Sequence, residues 1–540
     1  MAKSIMPDVR AAAKVRPVDA AWAFALRAGL TVAVPLVVLV AAGRPAWAGV
    51  ATFGAFTALY ARDEPYQRRA RVLTLAAAGL VACVFAGTCA ALAPDTEAVS
   101  TAAVAIVGGV ATLLCGRFRV GPPGGLMFAF ATAVTSAVPA TTTDLWRHPL
   151  LCAGAAALAW LIAMAGVLVD RDAPVRLAVA RALRAAATLH EAPPGPAGLQ
   201  ARFQAAAAIE RAWRAVPPDR PAEELLIARA ETELSGVHGH RPEAAATLRA
   251  LADTAARRGP APTPPAPDTA GDEADAVLGR RVYHLLLREP GARRPGPVWP
   301  AAARVALGAG AAGGAAGVLA HVTGLGHPYW AALSAVAVLQ ADSLRLTLHK
   351  SIQRAVGTII GLFLAGAAVA LPGDRWTLVA SIAAAQVCAE LLVVRNYGLA
   401  MLAITPLALL VGELGRPTPA ADLIGDRLVQ TLLGCALGLV AAALVRNRAA
   451  ARHLDEAIAE VTAASAELRR RPSDPTAQAR RLALLLLTLR EAYGVTSGEP
   501  GLAPDVTERV LTAEREGRQA LATLHRPEAG DPTDSPTQTA

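Results

Sequence analysis

Residues 72–92 read VLTLAAAGLVACVFAGTCAAL, twenty-one positions without a charged side chain. As a helix rising 1.5 Å per residue, such a run spans about 30 Å, the thickness of a bilayer's hydrocarbon core. Arg68, Arg69 and Arg71 close it on one side and Pro94-Asp95 on the other. Working outward, the same alternation of apolar run and polar break fills Ala21–Val169 and returns over Ala301–Val445. Charges are dense between these blocks, in Arg171–Arg294, and again after Arg446. Breaks at Gly, Pro and charge clusters predict six spans per block. The first six are Ala21–Ala42, Pro45–Tyr60, Val72–Leu92, Val99–Cys115, Gly124–Val138 and Pro149–Val169. The second six are Ala301–Thr323, Pro328–Gln340, Ser351–Leu371, Trp376–Val394, Tyr397–Leu414 and Leu423–Val445.

Composition agrees. Of 540 residues, 54% are hydrophobic and 18% charged, with a mean hydropathy of +0.39; a soluble protein carries roughly 25% charged residues. A single soluble globule, a disordered chain, a collagen-like fibre and a small disulfide scaffold are all excluded. The predicted fold class is all-α, a polytopic integral membrane protein of two parallel six-helix transmembrane repeats with cytoplasmic helical segments. Its expected parts are a leader (1–20), a first repeat (21–170) and a cytoplasmic helical domain (171–298) containing a disordered linker (259–273). A second repeat (299–446), C-terminal cytoplasmic helices (447–524) and a disordered tail (525–540) complete the chain.

Loop charges set the orientation, because cytoplasmic loops retain Lys and Arg. Lys3, Arg10, Lys14 and Arg16 precede the first span; Arg62, Arg68, Arg69 and Arg71, then Arg117 and Arg119, fall in alternate loops. Arg345, Lys350 and Arg354, then Arg395, then Arg446 and Arg448 repeat the bias, leaving Arg375, Arg416 and Arg427 among acids in outer loops. Both termini and the central polar segment are therefore expected in the cytoplasm of a plasma (inner) membrane protein. Ala46-Trp47-Ala48 has the form of a signal-peptide cleavage site, but Arg27 interrupts the preceding apolar run and another span follows at once. The net charge of +9 is read as basic flanks of membrane helices, with no nucleic-acid partner. Cys83, Cys89, Cys115, Cys152, Cys388 and Cys435 all lie in apolar segments without metal-ligand spacing, so neither metal nor cofactor is expected. G-x-S-x-G, Walker A, G-x-G-x-x-G and H-E-x-x-H are absent, which argues against an enzyme or a P-loop pump.

The two blocks carry matching landmarks. Pro45-Ala46-Trp47 and Pro328-Tyr329-Trp330 are offset by 283 residues, as are Arg71 and Arg354; Arg147 and Arg427 are offset by 280. The second and eighth spans, at matching positions, are both short, the eighth the shortest of its block and the second the next to shortest of its own. Short apolar segments at matching positions point to a site within the membrane. Polar residues concentrate late in the chain: Gln386 and Glu390 share a helix face at i, i+4, and Arg395-Asn396-Tyr397 and Thr405-Pro406 follow. Glu390 is open to two readings, a proton-coupling carboxylate or the salt-bridge partner of Arg395 or Arg354. Gly357 and Gly361 form a small-xxx-small face for helix packing. Arg71 and Arg354 read either as interfacial anchors or as anion-collecting charges at a pathway mouth.

His327-Pro328-Tyr329-Trp330-Ala331-Ala332-Leu333-Ser334, Gln353 to Gly361, Arg395-Asn396-Tyr397-Gly398-Leu399-Ala400 and Thr405-Pro406 together resemble the fusaric acid resistance (FUSC) family of aromatic acid exporters. That family is distantly similar to plant aluminium-activated malate transporters. The resemblance covers about Ala301–Arg448 and is weaker over Asp19–Arg171, where Arg117-Phe118-Arg119 lacks the Asn-Tyr pair. It implies export of organic anions, often aromatic carboxylates, driven in many members by an ion gradient. Arg71, Arg354, Gln386, Glu390, Arg395, Asn396, Tyr397, Thr405 and Pro406 are the candidate pathway residues. In the last segment Arg395 can grip a carboxylate, Asn396 and Thr405 can donate to it, and Tyr397 can face its ring. A passive anion channel and a membrane scaffold acting through cytoplasmic helices are the alternatives. Association with further copies of the chain is left open.

Overall fold

The computed structural model describes residues 22–118, 120–193, 196–217, 219–235, 242–262, 299–341, 343–370, 374–415, 420–445, 448–470, 473–496 and 505–523. The leader, most of the linker and the tail named above lie outside them. Every regular element among the described residues is helical.

The first block folds into α1 (Trp22–Ala41), α2 (Ala48–Ala55), α3 (Tyr66–Ala91), α4 (Thr96–Phe118), α5 (Leu126–Ala137) and α6 (Asp144–Met164). Single 3-10 turns flank α2. The second block folds into α11 (Trp299–Thr323), α12 (Tyr329–Leu339), α13 (Leu344–Ala370), α14 (Arg375–Val393), α15 (Tyr397–Gly415) and α16 (Ala420–Leu444). Each of the twelve expected spans meets a helix, and among the described residues seven helices are long and apolar enough to cross a bilayer. Those are α1, α3, α4, α6 with its short continuation to Val169, α11, α14, and α16 from Ile424. Of the other five, α2 has 8 residues, α12 has 11 and α5 has 12, the described apolar part of α15 is Tyr397–Val411, and α13 is 27 residues long and opens on polar turns from Arg345 to Arg354. Helix α13 also starts before its expected Ser351, because Ser343 carries its first turn, its carbonyl accepting from the Thr347 N–H and its hydroxyl from the Leu346 N–H.

Outward faces are apolar and bare. Leu75, Leu161, Leu307 and Phe363 are all exposed, Phe363 by 76%, which is lipid-facing surface rather than failed packing. Inward, α2 and α12 are enclosed, and each residue from Trp330 to Leu339 is buried. Close approach depends on small residues: a Cβ at Gly434 of α16 would overlap the Ala331 carbonyl of α12.

Helix pairing follows one scheme in both blocks. Helix α3 packs on α5 and α6, and α13 on α15 and α16; α2 packs on α6, and α12 on α16. Across the blocks α4 packs on α11 and α1 on α14. The arginine expected in an outer loop at 427 instead lies inside α16 and is 2% exposed. Its charge interrupts a long helix rather than ending it.

Outside the membrane blocks, α7 (Ala173–Glu191), α8 (Pro196–Ala215), α9 (Pro221–Ser235) and α10 (Pro242–Ala256) close over Leu183, Trp213 and Ile227. Helices α17 (Arg448–Arg469), α18 (Pro475–Thr496) and α19 (Val506–Thr523) close over Val461, Leu482 and Val510. The two groups touch: Phe203 stacks on Tyr493 at 4.8 Å, and Arg202 of α8 reaches Glu514 of α19 at 3.4 Å.

Candidate functional site

A cavity of about 1820 Å³ lies between the two membrane blocks, walled by α2, α5, α12, α14 and α15. One end is charged. Arg62, Asp63 and Glu64 follow α2 there, joined by Lys350 and by Arg211, Arg214 and Glu491 from the extramembrane helices. Partial burial pulls the Arg62 guanidinium below its ordinary pKa. The other end is lined by Val138, His327 and Tyr329. Between them the wall is aromatic: Phe53 meets Phe130 edge-on at 5.3 Å, Phe56 stacks on Phe130 at 6.2 Å, and Phe130 touches Trp330 at 6.0 Å. Rings contributed by α2, α5 and α12 thus form one continuous surface that joins the blocks. Gln340 ties the same blocks together, its Oε1 accepting from the Gly125 N–H at 3.2 Å and its Nε2 donating to Thr112 at 2.9 Å.

Three of the sequence-chosen residues line this cavity, namely Gln386, Glu390 and Tyr397. Gln386 donates to Glu390 at 3.1 Å, as their shared face requires, and the Gln386 Oε1 has no partner. The expected salt bridge is not formed. Among the described residues no cation lies within ion-pair distance of Glu390, which lines the cavity together with Arg62 of the first block. Arg395, half-buried just ahead of α15, is not among the residues that line the cavity.

Arg354 and Arg71 do not share an environment. Arg71 is exposed on α3, whereas Arg354 is 4% exposed and donates to the Tyr397 hydroxyl at 2.8 Å. Arg354 therefore backs the cavity wall from behind. Asn396 is a helix cap. Its Oδ1 accepts from the N–H groups of Gly398 and Leu399 at 2.7 and 3.2 Å, so that oxygen is committed to the backbone. Thr405 is turned into the α13–α15 contact, where a Cβ on Gly361 would come within 2.8 Å of its own. Pro406 is buried beside it. Gly357 meets Gly398 and Met401 in that contact, so the glycine pair packs helices as its spacing implied. On α15 the lining face is instead Tyr397, Ile404, Ala408 and Val411.

Sequence reasoning missed the aromatic wall, since Phe53, Phe56, Phe130 and Trp330 are isolated along the chain. It also missed the paired landmarks as contacts. The Arg147 guanidinium lies 5.2 Å from the Trp47 ring centre, and that of Arg427 lies 3.3 Å from the Trp330 ring centre.

An all-helical bundle with lipid-bare outer faces and a polar-mouthed internal cavity defines a polytopic membrane protein. Residues 315–441, from α11 to α16, match the family described as fusaric acid resistance protein-like. The chain is also similar to the uncharacterized membrane protein YvaC of Bacillus subtilis (strain 168), at 26% identity over 534 residues, covering 92% of this chain and 84% of that protein. No solved structure matches it.

Proposed function

We propose that this protein exports organic anions, aromatic carboxylates by preference, across the plasma (inner) membrane through the cavity between its two blocks. The observation that carries this reading is the cavity itself: a charged mouth where four cations stand beside three carboxylates, an aromatic wall, and the hydrogen-bonded Gln386–Glu390 pair in its lining. Arg62, Lys350, Arg211 and Arg214 attract an anion to the mouth. Phe53, Phe130, Trp330 and Tyr397 offer ring faces to an aromatic body. Glu390, unpaired in the passage, takes and releases the coupling proton, so an ion gradient drives export. The family match over residues 315–441 supports transport as the class of activity.

The two blocks are read as parallel repeats. Support comes from the shared pairing scheme within each block, the reciprocal α4–α11 and α1–α14 contacts, and the equivalent Arg147–Trp47 and Arg427–Trp330 pairs. With both termini and the helices α7–α10 and α17–α19 in the cytoplasm, the charged mouth opens inward.

The test compares cells with and without the protein for accumulation and toxicity of an aromatic-acid panel. Lower accumulation of at least one acid with the protein present is expected; identical accumulation across the panel refutes export. Glu390→Gln separates a coupled carrier from a passive channel, because a channel keeps its flux in that variant.

A further inference from the structure

Behind the cavity wall, three helices of the second block each turn an i, i+4 pair of polar side chains inward. Helix α12 presents Trp330 and Ser334, α13 presents Arg354 and Thr358, and α16 presents Arg427 and Thr431. All six are buried, at 0 to 5% exposure, and the three helices pack on one another. Each pair holds groups without a hydrogen-bond partner among the described residues: Trp330 Nε1, Ser334 Oγ, Arg354 Nε, Thr358 Oγ1, Arg427 Nε and Nη1, and Thr431 Oγ1. Burying a donor without a partner is costly, and burying a charge without one costs more.

Among the described residues no carboxylate pairs with the two guanidiniums. Asp426, beside Arg427 in sequence, is engaged by the Gly326 N–H at 3.1 Å and by His327 Nδ1 at 3.0 Å. Helices α13 and α16, which carry the two arginines, pack on each other. Stacking on Trp330 at 3.3 Å favours the Arg427 cation without satisfying its in-plane N–H groups. The Tyr397 hydroxyl and the Met401 sulfur accept from Arg354 Nη1 and leave its charge uncancelled.

We propose that these three helix faces enclose a binding site for a compact monoanion, a halide or a carboxylate group, held between Arg354 and Arg427. The hydroxyls of Ser334, Thr358 and Thr431 and the indole N–H of Trp330 complete its shell. The site is separate from the lined cavity and touches it through Trp330 and Tyr397. The inference does not rest on the transport reading, because it is tested by binding at equilibrium.

Purified full-length protein in lipid nanodiscs is unfolded thermally in sulfate at fixed ionic strength, with bromide or benzoate titrated in. A saturable rise in melting midpoint is expected with at least one of the two. Bromide alone identifies a resident ion, benzoate alone identifies the transported class, and mutual competition identifies a shared site. Arg427→Gln and Arg354→Gln should each raise the half-saturating concentration at least tenfold. If either fails to fold, the Ser334→Ala/Thr431→Val double variant carries the test, with a rise of threefold or more. No saturable shift with either anion, or a half-saturation unchanged in these variants, overturns the proposal.

Discussion

Glu514→Gln offers a sharp test of how the extramembrane helices hold together. Glu514 is buried on α19 and gathers three guanidiniums: Arg490 at 2.7 Å, Arg202 at 3.4 Å and Arg518 at 3.6 Å. Gln keeps the shape and removes the carboxylate at which these three meet. Breaking a buried ion pair from one side costs about 3–5 kcal/mol, and since the arginines retain 11–15% exposure the lower end applies, about 3 kcal/mol. Arg202 lies on α8, whose later turns carry Arg211 and Arg214 to the cavity mouth, so the loss should appear there first. Hydrogen exchange across residues 199–216 is the assay. An opening cheaper by about 3 kcal/mol means exchange faster by on the order of 100-fold. The pH dependence has a fixed sign. Burial alone would raise the Glu514 carboxyl, but Arg490 and Arg202 outweigh it and hold the group below its ordinary range. A folded-state pKa below the unfolded value gives stability that is complete above the ordinary carboxylate range and is lost as pH falls through the folded value. Wild type should therefore approach the variant in acid. Exchange within threefold of wild type at neutral pH refutes the reasoning.

Tyr397→Leu should weaken apparent transport affinity severalfold, whereas Arg395→Lys should be silent, because only Tyr397 lines the cavity; substrate-concentration curves in export assays check both. Gly434→Val places branched carbons against the Ala331 backbone, which cannot yield, and should lower stability by about 3 kcal/mol or block assembly, as measured by thermal unfolding in detergent. Cysteines introduced at Pro265 and Thr533 should resist an impermeant label added outside intact cells and react once the cells are opened. Asp170→Asn should loosen the start of α7, since hydrogen bonding from Arg176 holds that carboxyl well below the usual range; the variant should also lose the share of acid-dependent stability that this pairing supplies, readable as a smaller fall in melting midpoint below pH 4 than wild type shows.

The membrane blocks were legible because a run of about 20 apolar residues has few other fates. Gln386 and Glu390 were legible for the same kind of reason, since an i, i+4 pair shares a face whatever surrounds it. Arg427 was misread because a charge normally marks the edge of a span. Its burial against Trp330 depends on two helices meeting, which no local window contains. Thr405 and Gly361 were each noticed, yet sequence cannot say that they face one another, and that contact turns Thr405 away from the cavity. Asn396 was read as a donor to ligand, although its position just ahead of an apolar helix is that of a cap.

The crossed contacts, α4 on α11 and α1 on α14, bear on how the chain is made. When α4 leaves the ribosome its partner lies some 180 residues away in the unread message, roughly 10–40 s at ordinary rates of synthesis. During that interval the first block sits in the bilayer with two helix faces shaped for neighbours that do not yet exist. A lipid or an insertion factor must cover them and then give way. Cutting the gene between the blocks should therefore yield two products that are unstable when made separately and that rescue each other when made together.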